Sequence, residues 1–485
     1  MDGLYRELGL SNLLMRIQKS KNIRYDLNKI LQLLVFQRIL NPQSKLATVD
    51  AQHTLWGDWQ LTQNAVYRSL DILNEAKQAI QGQVHQHITS LFGRTAYLVF
   101  YDVTNYYFET DVDDTDLLQE GGTVIAEGLR RRGPSKEHRP NPIVQLGLFM
   151  DTNGIPISYQ LFRGNQTDPI TYLPALEQLK AQFGIERLIV VADKAMNSKS
   201  NVSQTYANGD GWLFSQKHRG KNGVSKEIQA FILDAADWEY NESLTFAKKS
   251  ILRERKLADG TMVKEKVLVT WNKKYAVREK IRRDGALEYA KKLTNAELFR
   301  QTAKRGGKKY LQLFTVDPGT GEKLPFRPFI SIQEDEVIFD SHFDGVNVLV
   351  TSETEMSDED MLSQYKELGK IEDCFRITKS EFNSRPVFVW KKEHIEAHFL
   401  TCFLALVLMR CMQHVTQQKL SPHRLVKALQ SARVMAVQNG FYRVQANEDL
   451  QVLHESLGIR WDKGIVKTED LNHYGTGWLT TAKKA

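Results

Sequence analysis

Two strongly apolar runs in the sequence each end in an aspartate. The first run, Tyr97–Tyr101, reads YLVFY and is followed by Asp102; the second, Leu188–Ala192, reads LIVVA and is followed by Asp193. Short runs rich in valine, isoleucine and aromatic residues are typical of buried strands. In open α/β sheets, functional side chains gather beyond the carboxyl ends of the strands. We therefore expect the two aspartates to meet if these strands lie side by side.

Further strand-like segments lie between these two runs, and a helix precedes the second. NPIVQLGLFMD (141–151) and PISYQLFRG (156–164) are strand-like, and DTNGIP between them is a hairpin signal. TYLPALEQLKAQFG (171–184) has the spacing of an amphipathic helix that ends at its glycine. Strands followed by a helix and a fully apolar strand predict an α/β sheet that is covered on its faces.

The pattern divides the chain into five regions, with an α/β core interrupted by a mainly β insertion. The predicted regions are a helical N-terminal region (1–92), the first part of the core (93–210), a mainly β insertion with a basic face (211–350), the second part of the core (351–415) and a helical C-terminal region (416–485). The charges of the insertion could equally be solvated loop charges.

Composition indicates a soluble intracellular protein that tends toward a polyanionic partner. The 485 residues include 65 Lys+Arg and 58 Asp+Glu, a net charge of +7. The three cysteines, Cys374, Cys402 and Cys411, have no C-x-x-C spacing and predict reduced core thiols. The longest apolar run, Phe399–Met409, is shorter than the ~20 residues that cross a bilayer, so no membrane association is expected.

A third acid, Glu372, lies in a segment, 357–382, that is predicted to form one long helix. Tyr365 and Lys379 lie seven residues before and after it, so the three side chains share one stripe of that helix, drifting only ~20° per seven residues. A phenol, a carboxylate and an ammonium group on one stripe suit a phosphate and a metal ion. A solvated helix face with the same residues is the alternative.

A cluster of three carboxylates is repulsive unless a cation neutralises it. With two divalent cations ~3.5–4 Å apart, such a cluster becomes a phosphoryl-transfer site. The alternative for each aspartate is a structural turn or cap residue at the end of a strand.

The motifs FYDVTNYYFE, VVADKAMNSKSN and YKELGKIEDCFRITKSEF resemble the DDE transposases of bacterial insertion sequences, over roughly residues 90–410. The branch concerned has a Y-x6-E-x6-K signature and a ribonuclease H-like core with a β insertion domain. The resemblance implies that Asp102, Asp193 and Glu372 hold two Mg²⁺ ions, with Mn²⁺ able to substitute. It also implies that Tyr365 and Lys379 contact DNA phosphate. Leu368 stands where the family commonly has an arginine, and Lys366 and Arg376 are the two candidates to substitute for it.

A basic loop, GLRRRGPSKEHRP (128–140), lies between the first two predicted core strands. We expect it to contact the DNA backbone near the active site, the alternative being a flexible charged loop. Its candidate DNA-binding residues are Arg130, Arg131, Arg132, Lys136 and Arg139.

The resemblance implies a bacterial, cytoplasmic and nucleoid-associated transposase that cleaves transposon ends and transfers the strands into target DNA. Its partners would be double-stranded DNA, as terminal inverted repeats and target, and a second copy of itself in a synaptic complex. Two alternatives remain: a ribonuclease H-like endonuclease without strand transfer, and a catalytically silent DNA-binding protein derived from a transposase.

Overall fold

The computed structural model of the chain describes residues 1–95, 97–119, 122–220, 224–292, 311–314, 329–459 and 464–473. They form two compact units. The first contains Met1–Met196, Gln204–Asp210 and Gln364–Ala485, and the second contains Asn197–Ser203 and Gly211–Ser363. All candidate site residues belong to the first unit.

The N-terminal region is helical, as predicted. Its α-helices are α1 (Asp2–Glu7), α2 (Leu10–Ser20), α3 (Leu27–Leu40), α4 (Lys45–Asp50), α5 (Gln63–Glu75) and α6 (Lys77–Phe92), with a 3₁₀ turn at Ala51–Thr54. The Asp26 carboxylate caps α3 by accepting a 2.9 Å bond from the Lys29 backbone N–H. Helix α3 is buried along most of its length because it lies at the centre of this bundle.

Four strands build the core sheet of the first unit in the order β5-β4-β1-β6. They are β1 (Leu98–Tyr107), β4 (Ile143–Met150), β5 (Pro156–Arg163) and β6 (Ile189–Ala192), while β2 (Leu117–Leu118) and β3 (Val124–Ala126) form a separate hairpin. Strands β5, β4 and β1 are antiparallel neighbours, and β6 runs parallel to β1. Helix α7 (Asp168–Phe183) connects β5 to β6. This order and these directions are those of a ribonuclease H-like sheet, which confirms the predicted α/β fold class.

The second unit contains the predicted strands, but helices make up a similar share of its described residues, so it is mixed α/β and not mainly β as predicted. Its strands are antiparallel neighbours in the order β7-β13-β10-β9-β8. The strands are β7 (Gly211–Ser215), β8 (Glu239–Tyr240), β9 (Phe246–Lys256), β10 (Met262–Asn272) and β13 (Val346–Thr351), with a separate pair of β11 (Leu311–Phe314) and β12 (Phe329–Ile332). The helices after β6 are α8 (Lys199–Ala207), α9 (Lys226–Leu233), α10 (Lys273–Lys292) and α11 (Glu334–Ser341).

The segment predicted as one helix over 357–382 is divided into three pieces. Helix α12 (Asp358–Glu367) ends at Leu368, α13 (Gly369–Arg376) follows, and a π-turn covers Ile377–Glu381. Glycine at the start of α13 has a low helix propensity, which favours a break there. The Thr378 hydroxyl donates back to the Phe375 carbonyl at 2.9 Å, a contact that bends helices. The stripe assumed for Tyr365, Glu372 and Lys379 therefore does not run along a regular helix.

Helix α14 (Lys392–Val415) is the buried core helix of the first unit. Among the described residues it is the one helix long and apolar enough to span a membrane, and 94% of its most apolar window is buried inside the protein. The predicted core thiols are confirmed, since all three cysteines are free and buried.

The C-terminal region is less helical than predicted. Besides α15 (Pro422–Ser431), α16 (Glu448–Ser456) and α17 (Thr468–His473) it contains a three-stranded antiparallel sheet of β14 (Arg433–Ala436), β15 (Phe441–Gln445) and β16 (Ile465–Lys467). Asn439 and Gly440 both have positive φ between β14 and β15. Asn-Gly is the strongest short hairpin signal, and it accounts for the sheet that helical periodicity missed.

Candidate active site

The register of the core sheet brings the two predicted aspartates to one place. Strand β1 pairs in parallel with β6, and Phe100 lies opposite Val191. Asp102 comes two residues later within β1, and Asp193 comes two residues later, directly after β6, while neighbouring strands lie ~4.8 Å apart. The charge of Asp193 acts on the carboxyl group of Asp102, so the two side chains lie near each other, as predicted.

The Asp102 carboxyl group is placed where a negative charge is unfavourable. Its pKa is raised to about 6, chiefly by burial and to a smaller extent by the negative charges of Asp193 and Asp168. The Lys136 ammonium and a 2.8 Å bond from the Val103 N–H oppose this rise without cancelling it. A bound cation would relieve the repulsion among these carboxylates.

Asp193 also has a structural function at the end of β6. Its carboxylate accepts a 2.5 Å hydrogen bond from the Ala195 N–H, and the Met196 N–H donates to its carbonyl at 3.2 Å. The aspartate thus begins a tight turn, as the structural alternative expects. The turn uses one carboxylate oxygen, so it is compatible with metal binding through the other oxygen.

Glu372 does not join the two aspartates in a compact cluster. Ile371, Cys374 and Phe375 form the buried face of α13, and Glu372 is exposed because it lies about 100° around the helix from Ile371. Within the part of the chain that the structure describes, no group of three or more His, Cys, Asp or Glu side chains is arranged to hold a metal ion. Two of the three predicted ligands are brought together, and the third is not.

The donor set at the aspartate pair nevertheless suits Mg²⁺ or Mn²⁺. Hard divalent cations prefer carboxylate oxygens, and the negative charges of Asp193 and Asp168 both act on the carboxyl group of Asp102. Asp168, which sequence reasoning overlooked, adds a third negative charge next to Asp102. Its position before a proline at the start of α7 has the pattern of an ordinary helix N-terminus, which conceals any other function.

The Lys379 side chain is largely buried and contacts other residues of the protein. Its ammonium lies 2.9 Å from the Glu137 carboxylate and 5.5 Å from the centre of the Tyr106 ring. Arg385 contacts the same carboxylate, and Asn105 donates to it at 2.7 Å. Burial lowers the pKa of Lys379, although Glu137 opposes this. The phosphate contact predicted for Lys379 stays a prediction, and Glu137 and Arg385 are partners that only the structure reveals.

Burial works to raise the pKa of Glu137, but the hydrogen bonds and charges of Lys379, Asn105 and Arg385 outweigh it and lower the pKa. The Glu137 carboxylate therefore stays ionised as the centre of this network. No local sequence pattern could have indicated it, because Glu137 stands among five cations of the basic loop.

The three consecutive arginines of the basic loop bind a neighbouring acidic segment, 111–116. Arg130 lies 2.5 Å from Asp114, and Arg131 lies 2.5 Å from Asp116. Arg132 donates to the Asp111 carbonyl at 2.6 Å. These contacts hold the loop in place, in contrast to the alternative of a flexible charged loop. Their predicted contacts with DNA stay a prediction.

The other predicted DNA-binding residues differ in the contacts that they make with the rest of the protein. Lys136 lies 3.5 Å from Asp168 and also donates to the Val103 carbonyl. The Arg139 guanidinium lies 4.2 Å from the centre of the Tyr107 ring. Arg376 is exposed and pairs with Asp373 at 2.8 Å, and Tyr365 is half-buried.

An open cavity of about 810 Å³ brings the basic loop to the turn that follows Asp193. The lining residues come from the loop, from the start of α7 and from that turn: Gly133, Pro134, Ser135, Lys136, His138, Arg139, Pro140, Thr167, Asp168, Pro169 and Ala195. The cations of this wall can hold a phosphate close to the aspartate pair.

Comparison with known proteins identifies the class. The family model described as the transposase DDE domain matches residues 109–408, which is more than half of the chain. The chain belongs to the transposase DDE domain family. The match includes Asp193 and Glu372 and begins seven residues after Asp102 (109−102). The prediction of a DNA transposase is confirmed at the level of this family.

Solved structures of transposases are similar to parts of this chain. A piggyBac transposase synaptic complex with hairpin DNA shares 9% identity over 83% of this chain and 69% of that chain, with a TM-score of 0.37. A Mos1 transposase paired-end complex with the left transposon end shares 11% identity over 37% of this chain and 56% of that chain, with a TM-score of 0.17. A Mos1 mariner paired-end complex with Mn shares 15% identity over 38% and 57%, with a TM-score of 0.16. No curated protein matches the sequence.

Proposed function

We propose that this transposase cuts DNA at the ends of an insertion sequence and joins the freed 3′ ends to target DNA. The observation that carries the proposal is the pair formed by Asp102 within β1 and Asp193 directly after β6, in a chain of the transposase DDE domain family. The raised pKa of Asp102 supports the proposal, because strongly shifted pKa values are common at functional sites.

Asp102 and Asp193 would hold two Mg²⁺ ions together with Glu372, and Mn²⁺ would substitute. When bound, the metal pair activates the attacking oxygen and stabilises the leaving oxygen of an in-line displacement. The assignment of Glu372 rests on the resemblance to the family. In the described residues its carboxylate is exposed and does not join the aspartate pair.

The protein's own cations would orient the DNA backbone at this site. Lys136 and Arg139 line the cavity that reaches the turn after Asp193, so a phosphate bound there lies close to the carboxylates. Lys379 and Arg385 share the Glu137 carboxylate, and a DNA phosphate would replace or extend that pairing. Tyr365, Arg376 and the three arginines of the basic loop would make further backbone contacts.

The DNA partners would be the terminal inverted repeats and the target. Two copies of the transposase would pair two ends in a synaptic complex, because joining both ends to one target needs two active sites. We assign end recognition to the helical N-terminal region, and we place the enzyme in the bacterial cytoplasm, on the nucleoid.

The test uses the purified full chain and DNA that flanks its gene. With Mg²⁺, the transposase should nick the terminal repeats and join a pre-cleaved end to a target plasmid. Glu372→Gln should abolish both steps, whereas Asp373→Asn, which alters an exposed neighbour paired with Arg376, should leave them intact.

Three results would separate the proposal from its alternatives. Cleavage without joining of pre-cleaved ends would identify an endonuclease instead. Binding of the repeats without cleavage in Mg²⁺ or Mn²⁺ would identify a silent DNA-binding protein. Full activity of Glu372→Gln would remove this residue from the mechanism.

A further inference from the structure

Two large aromatic side chains are exposed side by side on the segment between the π-turn and α14. Burial alternates along this segment: Val387 and Val389 are 1% and 6% exposed, whereas Phe388 and Trp390 are 63% and 54% exposed. A period of two places both rings on the same side, with their Cα atoms ~7 Å apart in extended backbone. The valines anchor the segment, and the aromatic rings face outward.

The segment is attached next to the candidate active site. The Val387 N–H donates to the carbonyl of Tyr107 at 3.2 Å, at the end of the strand that carries Asp102. Two residues earlier, Arg385 contacts the Glu137 carboxylate that also binds Lys379. The backbone that presents the two aromatic residues is thus tied to β1 and to the network after α13.

Positively charged residues lie beside Trp390 and directly after it in the chain. The Arg130 guanidinium lies 5.1 Å from the centre of the Trp390 ring and 5.5 Å from that of Phe108. Exposed Lys391 and Lys392 follow directly in the chain. Exposed aromatic rings among positive charges suit a partner that combines flat rings with negative charge, which describes a single strand of nucleic acid.

We propose that Phe388 and Trp390 stack on unpaired bases of the DNA strand at the cleaved end. This inference rests on the proposed function and names a further binding surface of the same site. Unpaired bases offer their faces to aromatic side chains, while phosphates contact the neighbouring cations. Stacking of this kind changes affinity about 5- to 150-fold per base.

The test compares three oligonucleotide probes that carry the terminal repeat. One is a blunt duplex, the second ends in three unpaired nucleotides, and the third has abasic sites in place of those three bases. The full-length transposase should bind the second at least about 5-fold more tightly than the third. 2-Aminopurine at an unpaired position should lose fluorescence on binding.

Substitution with leucine separates stacking from apolar contact. Phe388→Leu and Trp390→Leu keep the apolar character but remove the rings, so the preference for unpaired bases should vanish while blunt-duplex binding remains. Trp390→Phe should restore part of the preference. Tyr206→Leu is the matched control, because Tyr206 is a 47% exposed aromatic residue on α8.

Each other result overturns the inference in a recognisable way. Equal binding of unpaired and abasic ends, or an unchanged preference in both leucine variants, means that no stacking occurs. A change of oligomeric state in the leucine variants, with the preference intact, makes the rings an interface between copies. If the wild type cleaves and joins ends without preferring unpaired bases, only the stacking inference fails; if it binds none of the probes, the proposed function fails as well.

Discussion

Asp102 within β1 and Asp193 directly after β6 both lie two residues beyond the parallel pair Phe100–Val191. This register joins two carboxylates that are 91 residues apart in the chain (193−102). Because the two carboxylates repel each other and Asp102 is buried, a bound cation would stabilise this site.

We expect Asp102→Asn to lower the rate of Mg²⁺-dependent cleavage by about 10³-fold, since a catalytic metal supplies several kcal/mol of transition-state stabilisation. Binding of the terminal repeat should stay within about 2-fold. Gel-based cleavage and fluorescence anisotropy measure the two quantities. Unchanged cleavage would exclude Asp102 from the mechanism.

Mg²⁺ binding should be visible in the absence of DNA. A metal that binds only the folded protein raises its melting temperature, so the wild type should become more stable as Mg²⁺ is added. Asp193→Asn should lose most of this increase, whereas Asp373→Asn on the exposed face of α13 should keep it. An equal increase in all three proteins would place the metal elsewhere.

The buried ion pair of Arg94 and Asp151 should be essential to the first unit. Both side chains are at most 1% exposed, with 2.6 Å between Nε and Oδ2. Asp151→Ala leaves a buried charge unpaired and should lower the free energy of unfolding by about 3–5 kcal/mol. Loss of the exposed pair in Asp373→Ala should cost less than about 1 kcal/mol. Urea denaturation followed by circular dichroism compares the variants, and equal midpoints would contradict the prediction.

Stability should depend on pH through Lys45. Burial, with help from Arg38, lowers the pKa of Lys45 from 10.5 to about 7. Between these values the unfolded chain binds more protons than the folded chain, so this residue's contribution to stability should rise from pH 7 to pH 10. Lys45→Met should remove that part of the slope. Urea midpoints at several pH values test it, and parallel curves for both proteins would refute it.

Helix α10 of the second unit should contact the DNA backbone. Lys274, Arg278 and Arg282 are exposed at four-residue spacing and form one positive stripe. Replacing all three with alanine should reduce the slope of log affinity against log salt by up to about 3. Lys248→Ala is the control, because Lys248 pairs with Glu359. An unchanged slope in the triple variant would exclude the stripe from the interface.

Much of the fold follows from local sequence pattern. Apolar runs and a hairpin signal predicted β1, β4, β5 and β6, and the aspartates that follow two of these runs indicated where chemistry would occur. Strand β1 continues beyond its aspartate to Tyr107, which the apolar run did not indicate. The break at Leu368 and the Asn439–Gly440 hairpin were missed. Each depends on one or two residues, the glycine after Leu368 and the Asn-Gly pair, and a periodic pattern read over a longer segment does not show their effect.

The candidate site was also predicted only in part. The sequence by itself determined which residues carry the charges and which apolar runs they follow, because side-chain chemistry and hydrophobic periodicity are local properties. Tertiary structure alone decided that Asp102 meets Asp193 and that Lys379 and Arg385 meet at Glu137. It also decided that Arg130 is paired with Asp114 and that Phe388 and Trp390 are exposed. These outcomes depend on strand register and on contacts between distant segments, where burial changes the strength of every charge.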